Sequence, residues 1–318
     1  MKLCKVMTQK EAAELCGVPS STMADILHRI IQRYRKGHKI RGVKEIGIDE
    51  ISYKKRHRYL TVVYDLERHC VIWIGEGKGR ETIDEFFDQA LSKGQRSRVR
   101  IACCDMSQAY IGAIKAHLPK ALLVLDRFHI AKALNEAVDE VRKEQWREAD
   151  TATRHELKGL RFVLLKNPGN RSPRERKLIA ALERGQRRIF RACELKDRLD
   201  HFWEYQRIGW AEKFLNNWCR SAMLSRLKPL KKFVAMVREH WDGVMASITG
   251  ATNAAAEGIN RLLKLAKNRA SGYRSTTNFM NMIMLIAGDL DLPAQIPAKN
   301  RPRQTKPKTF QALLHPTS

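Results

Sequence analysis

The stretch KEIGIDEISY, residues 44–53, alternates apolar residues with others, as expected of a strand with one buried face. Two acids, Asp49 and Glu50, stand in its middle. A buried carboxylate loses its hydration, which costs free energy unless a positive group holds it. The stretch therefore predicts a central β-strand whose acids have a specific partner.

The whole chain is strongly basic, so acids in a central strand need an explanation. Its 318 residues include 60 Lys and Arg against 34 Asp and Glu, a formal net charge of +26. Such an excess favours a polyanionic partner, first of all nucleic acid, because Lys and Arg neutralise phosphates. No apolar run approaches the ~18 residues of a transmembrane helix, so a membrane partner is not expected.

Cysteine usage is typical of a reduced, cytoplasmic protein. The chain has seven cysteines, and none of them forms a CxxC pair. Most of these thiols are expected to pack as small apolar side chains. A zinc site is not expected.

Residues 8–35, TQKEAAELCGVPSSTMADILHRIIQRYR, have the spacing of a helix-turn-helix. A short helix is followed by a turn that contains glycine and by a second, amphipathic helix. Ser21 and Thr22 at its leading end are candidates for contact with DNA bases, and Arg29 and Arg33 for contact with phosphates. A plain helical hairpin explains the same periodicity. The apolar face of the second helix needs a partner, which a second protomer could supply.

Residues 44–126 predict a mixed sheet in the order strand, strand, strand, helix, strand, helix, strand. The first three strands are joined by short connections and are therefore antiparallel neighbours. The predicted strands are residues 44–53, 59–66 and 70–75 and the runs RVRIACCDM (98–106) and ALLVLD (121–126).

The character of the chain changes at Phe128. Residues 128–245 have almost entirely helical periodicity, and a further helical block covers residues 252–288. The tail from Pro293 is rich in proline and basic residues and is predicted to be disordered.

Asp105 follows the fourth predicted strand, as Asp49 lies in the first. These two strands lie side by side in a sheet of this order, so the two carboxylates can converge. A divalent cation is one way to hold them, since Mg²⁺ and Mn²⁺ prefer hard oxygen ligands. An Arg or Lys is another, and a solvated acid at a strand end is a third. Glu50 should point to the opposite face, because side chains alternate along a strand, and is expected to have a secondary or structural role.

Three long motifs stand in order: GIDEISYKKRHRYLTVVYDL (47–66), CDMSQAYIGAIKAHLPKALLVLDRFHIAKALNEAVDEVRKE (104–144) and TNAAAEGINRLLKLAKNRASGYRS (252–275). Together they resemble the DDE transposases of bacterial insertion sequences, and more narrowly their ISL-three family. The resemblance implies an RNase H-like mixed-sheet core interrupted by a large all-α insertion, after a short N-terminal segment similar to a helix-turn-helix. The implied domains are a partial helix-turn-helix and linker (1–42), the first part of the core (43–130), the insertion (131–250), the C-terminal core helices (251–290) and a basic tail (291–318).

The resemblance implies a catalytic triad of Asp49, Asp105 and Glu257, which holds Mg²⁺ or Mn²⁺ as two ions. Glu257 stands in the early turns of a helix, where an ion pair with the residue at i+4 is an alternative role. The same face of that helix carries candidates for DNA contact: Arg261, Lys264 and Asn268.

Asp126 and His129 close the fifth predicted strand and are implied to be auxiliary residues of the active site. Related transposases carry an acid or Cys three residues before a His. The alternative is that Asp126 caps the following helix and binds His129. Four aromatic residues at helical spacing lie in the predicted insertion: Trp203, Trp210, Phe214 and Trp218. They are expected in the core. The alternative is that one of them stacks on a flipped DNA base.

The implied function is cleavage and joining of transposon ends by phosphodiester hydrolysis and transesterification. The implied partners are double-stranded DNA, as terminal repeats and as target, and a second copy of the chain in a homodimer. The implied location is the bacterial cytoplasm, in association with the nucleoid. The family usually has a longer N-terminal region with a zinc-binding module, so a truncated or domesticated DNA-binding repressor without catalysis is the alternative. A structure-specific nuclease on the same fold is a third interpretation.

Overall fold

The computed structural model describes residues 2–37, 40, 42–54, 58–249 and 254–290, and gives the backbone alone at residues 36–37, 54 and 254–257. The predicted basic tail, residues 291–318, lies outside the described residues. No helix in the described ranges is both long and apolar enough to cross a membrane.

A single mixed sheet forms the centre of the molecule. Its strands are β1 (Glu45–Lys54), β2 (Arg58–Asp65), β3 (Cys70–Glu76), β4 (Ile101–Cys104) and β5 (Leu122–Leu125). They lie in the order β3-β2-β1-β4-β5. The pairs β1–β2 and β2–β3 are antiparallel, and the pairs β1–β4 and β4–β5 are parallel. The antiparallel pairing of β1, β2 and β3 and the adjacency of β1 and β4 agree with the predictions from the sequence, which did not place β5.

A side chain at the end of β2 closes the β2–β3 hairpin. Oδ1 of Asp65 accepts hydrogen bonds from the backbone N–H groups of Glu67 and Arg68, both at 3.0 Å. His69 has a φ of 54°, the left-handed conformation that tight turns often require of one residue. The connection is therefore tight enough to force antiparallel neighbours.

The central strand β1 is buried on both faces. Ile46 and Ile48 lie in one hydrophobic cluster, and Ile51 and Tyr53 lie in another. Side chains alternate along a strand, so the change of spacing across the two acids moves the apolar residues from one face to the other. The expectation of a single buried face is wrong, because helices cover both sides of the sheet.

Helices that follow β3 and β4 cover the face of Ile46 and Ile48. They are α4 (Arg80–Glu85), which continues into a π-helical turn (Phe86–Ala90), α5 (Lys93–Arg96) and α6 (Gln108–His117). Phe86 and Phe87 are fully buried in this layer. This layer therefore packs its aromatic side chains on the sheet.

A long helical region follows β5. It consists of α7 (Arg127–Glu148), α8 (Thr151–Leu157), α9 (Leu160–Leu165), α10 (Pro173–Gly185), α11 (Arg187–Leu199), α12 (Ile208–Leu224), α13 (Lys228–Glu239) and α14 (Trp241–Ala246), with 3-10 turns at Pro168–Asn170, Asp200–Glu204 and Ser247–Thr249. The last helix returns to the sheet and packs on β5. A Cβ on Gly243 would lie 2.8 Å from Cγ of Leu125, so this close approach depends on glycine.

The N-terminal and C-terminal helices together cover the other face of the sheet. They are α1 (Lys2–Val6), α2 (Gln9–Leu15), α3 (Ser20–Gly37), α15 (Ala254–Arg269) and α16 (Thr276–Ala287). A capping box between Thr8 and Glu11 starts α2. Leu27 and Ile31 of α3 are buried in the cluster that contains Phe279 of α16. The partner of the apolar face of α3 is therefore α16 of the same chain, and no second protomer is needed to cover it.

These layers confirm the predicted fold class: a five-stranded mixed sheet with a large helical region between its last strand and the C-terminal helices. The division into domains at particular residues stays a prediction.

Candidate active site

The pairing of β1 with β4 brings Asp49 and Asp105 to corresponding positions. Gly47 is the parallel partner of Cys103, and each aspartate stands two residues farther along its chain. Since side chains alternate along a strand, this spacing directs both carboxylates to the same face at the same end of the sheet. The register of β1 and β4 therefore explains why the two acids converge, as the sequence predicts.

The carboxylate of Asp49 is in a largely desolvated place. Burial raises the pKa of Asp49; the hydrogen bond from the backbone N–H of Glu50 and the charge of His129 oppose the rise, and the charges of Asp105 and Asp126 add to it. The Glu50 N–H donates to Oδ1 of Asp49 at 2.8 Å. The site thus makes the negative charge of Asp49 costly in the absence of a cation.

The other carboxylate oxygen of Asp49 accepts a hydrogen bond from a side chain that the sequence did not indicate as functional. Nδ2 of Asn260 donates to Oδ2 of Asp49 at 2.7 Å, and the hydroxyl of Tyr64 donates to Oδ1 of Asn260 at 2.6 Å. Asn260 stands three residues after Glu257 in the run EGIN. This spacing puts the two on neighbouring faces of one helix, which is the signal that could have indicated its role.

Asp105 is half-buried between the end of β4 and the start of α6. Its Oδ1 accepts a hydrogen bond from the backbone N–H of Ser107 at 2.9 Å. Among the described residues, no Lys or Arg forms an ion pair with Asp105 or Asp49. The alternative in which a basic side chain holds the two acids therefore has no support among these residues.

The chemistry of these donors fits a divalent cation. Two carboxylates on one face, one of them desolvated and neither neutralised by a basic side chain, are hard oxygen ligands of the kind that Mg²⁺ and Mn²⁺ prefer. Within the described part of the chain, no three His, Cys, Asp or Glu side chains form a ready metal-binding group.

Glu257 lies in the first half of α15, and its side chain is outside the described residues. The helix itself is well placed, since Ile259 and Leu263 are buried and Asn260 contacts Asp49. The backbone of Glu257 is thus one helical turn from a residue that touches the first acid.

Asp126 and His129 form a bonded pair at the end of β5. Oδ2 of Asp126 lies 3.1 Å from Nδ1 of His129, and Oδ1 accepts from the Phe128 N–H at 3.2 Å. The hydrogen bond with Asp126 is the main cause that raises the pKa of His129, and the charges of Asp49 and Asp105 raise it further. Asp126 therefore caps α7 and binds His129, as the alternative interpretation of the sequence predicts. The charges of Asp126 and His129 also act on the nearby acids Asp49 and Asp105.

Comparison with known proteins agrees with this arrangement. The ISL-three family, whose description reads "Transposase", matches residues 46–283. The chain belongs to the ISL-three family of DDE transposases. It is 34% identical over 241 residues to the transposase for insertion sequence element IS1001 of Bordetella parapertussis. The aligned region covers 74% of this chain and 59% of that relative. It is 26% identical over 308 residues to the transposase for IS1557 of Mycobacterium tuberculosis, which covers 89% of this chain and 69% of that relative.

The chain therefore spans about three fifths of the length of the IS1001 relative. The family assignment confirms the resemblance carried by the three motifs. It covers the sheet, the helical region and α15, because all of them lie within residues 46–283.

Glu50 is separate from the acid pair of Asp49 and Asp105. Its carboxylate oxygen Oε2 lies 4.0 Å from Nζ of Lys78, whereas Asp49 contacts Asn260 of α15. A pair this exposed contributes little to stability.

The residues predicted to contact DNA lie on two helices of the chain. On α3, Ser21, Arg29 and Arg33 are exposed and Thr22 is half-buried. On α15, Arg261, Lys264 and Asn268 are exposed. Leu27 of α3 and Leu263 of α15 are buried, whereas Leu262 and Leu265 of α15 are more than half exposed, so the solvent face of α15 carries apolar as well as polar side chains.

The aromatic residues of the helical region are not equivalent. Trp218 is fully buried, and its Nε1 donates to the Leu195 carbonyl oxygen at 2.8 Å. Trp203 is partly buried, with the guanidinium of Arg127 4.6 Å from its ring. Trp210 is 57% exposed, so the expectation that all of them are core residues is wrong there. The buried stripe of α12 is Ala211, Leu215, Trp218, Cys219 and Ala222.

Proposed function

We propose that this chain is a metal-dependent DNA transposase that cuts and joins the ends of its insertion sequence by phosphodiester hydrolysis and transesterification. The observation that carries the proposal is the acid pair of Asp49 and Asp105. The two are aligned by strand register and are not neutralised by any basic side chain of the described residues. Membership of a transposase family supports it.

Asp49, Asp105 and Glu257 are the proposed ligands of two Mg²⁺ or Mn²⁺ ions. When bound, the ions supply an activated water or DNA 3′-hydroxyl and stabilise the leaving oxygen. Asp49 and Asp105 provide fixed anionic oxygens from the sheet, which is held rigid by hydrogen bonds on both sides of β1. Glu257 is proposed as the third ligand because its backbone lies on α15 three residues before Asn260, which contacts Asp49.

Asp126 and His129 are proposed to assist this site. A raised pKa keeps more of His129 in the charged form near neutral pH, with one proton held at Nδ1 against Asp126. The positive charge reduces the repulsion between the acids, as its opposing effect on the pKa of Asp49 indicates. The role is electrostatic and needs no proton transfer to the substrate.

Double-stranded DNA is the proposed partner, as terminal repeats and as target, bound by a homodimer. The net charge of +26 supplies affinity for phosphates. The α3 residues Ser21, Thr22, Arg29 and Arg33 are proposed to select the ends. The α15 residues Arg261, Lys264 and Asn268 are proposed to hold the strand beside the acids.

Incubation of the purified full chain with a duplex that carries the element's ends tests this function. Mg²⁺ should produce nicks at the ends, and EDTA should abolish them. A protein that binds the ends tightly and leaves both strands intact with Mg²⁺ and with Mn²⁺ would contradict the proposal and favour the DNA-binding repressor. Nicks of equal frequency anywhere in the duplex would favour a nuclease.

A further inference from the structure

A chain of hydrogen bonds links three distant parts of the sequence at Asp49. The buried phenol of Tyr64 donates to Asn260, which in turn donates to Asp49. An ionised carboxylate only accepts hydrogen bonds, so the amide must turn its NH₂ group toward Asp49. The amide oxygen then needs a donor, which Tyr64 supplies. The three groups therefore have one arrangement that satisfies all of them.

Two polar contacts fix α15 along the central strand. The first is the Asn260 contact to Asp49 at 2.7 Å. In the second, Nζ of Lys267 donates to the backbone oxygen of Ser52 at 2.9 Å. Seven residues are about two helical turns, so the contacts set both the position and the direction of α15 relative to β1.

The position of α15 determines the position of the Glu257 backbone. Asn260 follows Glu257 by three residues, so the two Cα atoms differ by about 4.5 Å along the helix axis and about 60° around it. A contact that fixes Asn260 against Asp49 therefore also fixes the backbone of Glu257 relative to Asp49.

A neutral amide suits this position better than a basic side chain. Lys or Arg would neutralise Asp49 and compete with a cation, whereas an amide orients the carboxylate and leaves its charge. Glu50 N–H binds one oxygen of Asp49 and Asn260 binds the other, so each oxygen keeps a free lone-pair direction.

We propose that Asn260, oriented by Tyr64, is a positioning residue that sets the carboxylate of Asp49 and the helix of Glu257 in the arrangement that binds the divalent cation. This inference rests on the proposed function. It assigns a role to a hydrogen-bonded partner of a ligand, and such partners commonly govern metal affinity.

Binding of Mn²⁺ to the full chain without DNA, followed by the electron paramagnetic resonance signal of the free ion, tests this role. The variant Asn260→Leu has a similar volume and no polar atoms, and should raise the half-saturating Mn²⁺ concentration about tenfold. Tyr64→Phe removes one oxygen atom and should give a smaller rise. Leu265→Ala changes a side chain of the same helix that is 54% exposed, and should leave Mn²⁺ binding unchanged.

The outcomes separate this inference from the function on which it rests. If Asp49→Asn loses Mn²⁺ binding while Asn260→Leu binds like wild type, the inference alone is overturned. If the wild type binds no Mn²⁺, or Asp49→Asn binds it equally well, the proposed function and the inference are overturned together. If Asn260→Leu does not fold, Tyr64→Phe decides: an Mn²⁺ affinity of Tyr64→Phe equal to that of the wild type and of Leu265→Ala overturns the inference.

Discussion

Asp49 and Asp105 each stand two residues beyond the paired residues Gly47 and Cys103 of two parallel strands. Asp49 lies within β1, whereas Asp105 directly follows the end of β4 and accepts a hydrogen bond from the Ser107 N–H. Their separation is thus set by the pairing of β1 with β4 and by the first residues of the connection after β4. Strand β1 is also paired along its other edge with β2. A substitution at either acid should therefore change the chemistry of the site and leave the sheet intact.

DNA binding should depend steeply on salt. A chain of net charge +26 should contact many phosphates, each adding about 0.9 to the slope of log affinity against log salt concentration. With six or more contacts the slope is about −5 or steeper. Titration of a labelled duplex at several salt concentrations measures it. A slope near zero would remove nucleic acid as the principal partner.

Different residues on the solvent face of α3 should determine the affinity for DNA and the preference for the element's ends. Arg29→Ala with Arg33→Ala should weaken binding to end-containing and scrambled duplexes alike and reduce the salt slope by about two units. Ser21→Ala with Thr22→Val should instead lower the ratio of the two affinities. Competition binding measures both. An unchanged ratio in the second variant would mean that α3 does not select the ends.

The buried face of α3 should contribute strongly to the stability of the whole chain. Leu27 is fully buried against the cluster that includes Phe279, so Leu27→Ala should lower the free energy of unfolding by about 2–5 kcal/mol. The matched control is Leu15→Ala at a residue 69% exposed, which should change it by about 0.5 kcal/mol or less. Urea denaturation measures both. Equal effects would show that α3 is not part of the core.

The pair of His129 and Asp126 should make stability depend on pH. Because the fold raises the pKa of His129, its contribution is complete below the unfolded value of about 6.5 and is lost as the pH rises through the higher folded value. The loss of stability in His129→Asn relative to wild type should therefore shrink between about pH 6 and pH 8. Thermal unfolding at several pH values measures it.

His201 provides the control for that experiment, since its side chain is 61% exposed and is paired with Glu204. The variant His201→Asn should differ little from wild type across the same range. A His129→Asn effect that is constant with pH would contradict the assigned pKa shift.

Much of the fold follows from local sequence. Alternation and short connections predict the five strands and the antiparallel pairing of the first three, and the expected neighbours β1 and β4 predict that Asp49 and Asp105 converge. The place of β5 beside β4 was not predicted from the strand pattern. The second buried face of β1 was missed, although the spacing from Ile48 to Ile51 already contains the change of face.

Other features depend on how distant elements dock. Asn260 and Tyr64 are separated by 196 residues, and their contact with Asp49 depends on the angle at which α15 crosses the sheet. The exposure of Trp210 depends on which stripe of α12 faces the core, and spacing among aromatic residues does not decide that. The partner of α3 is likewise a helix near the other end of the chain.

The comparison of Asp49→Asn with Glu50→Gln in single-turnover cleavage of end-containing DNA tests the central claim most directly. The two variants remove one negative charge each from adjacent residues of the same strand. Asp49→Asn should lower the Mg²⁺-dependent rate by more than about a hundredfold, because losing a ligand costs more than losing a ligand's hydrogen-bond partner. Glu50→Gln should retain most of the rate, and both should bind DNA much as wild type does, since affinity comes from phosphate contacts. Cleavage by Asp49→Asn at the wild-type rate would contradict the assignment of Asp49 to the metal site.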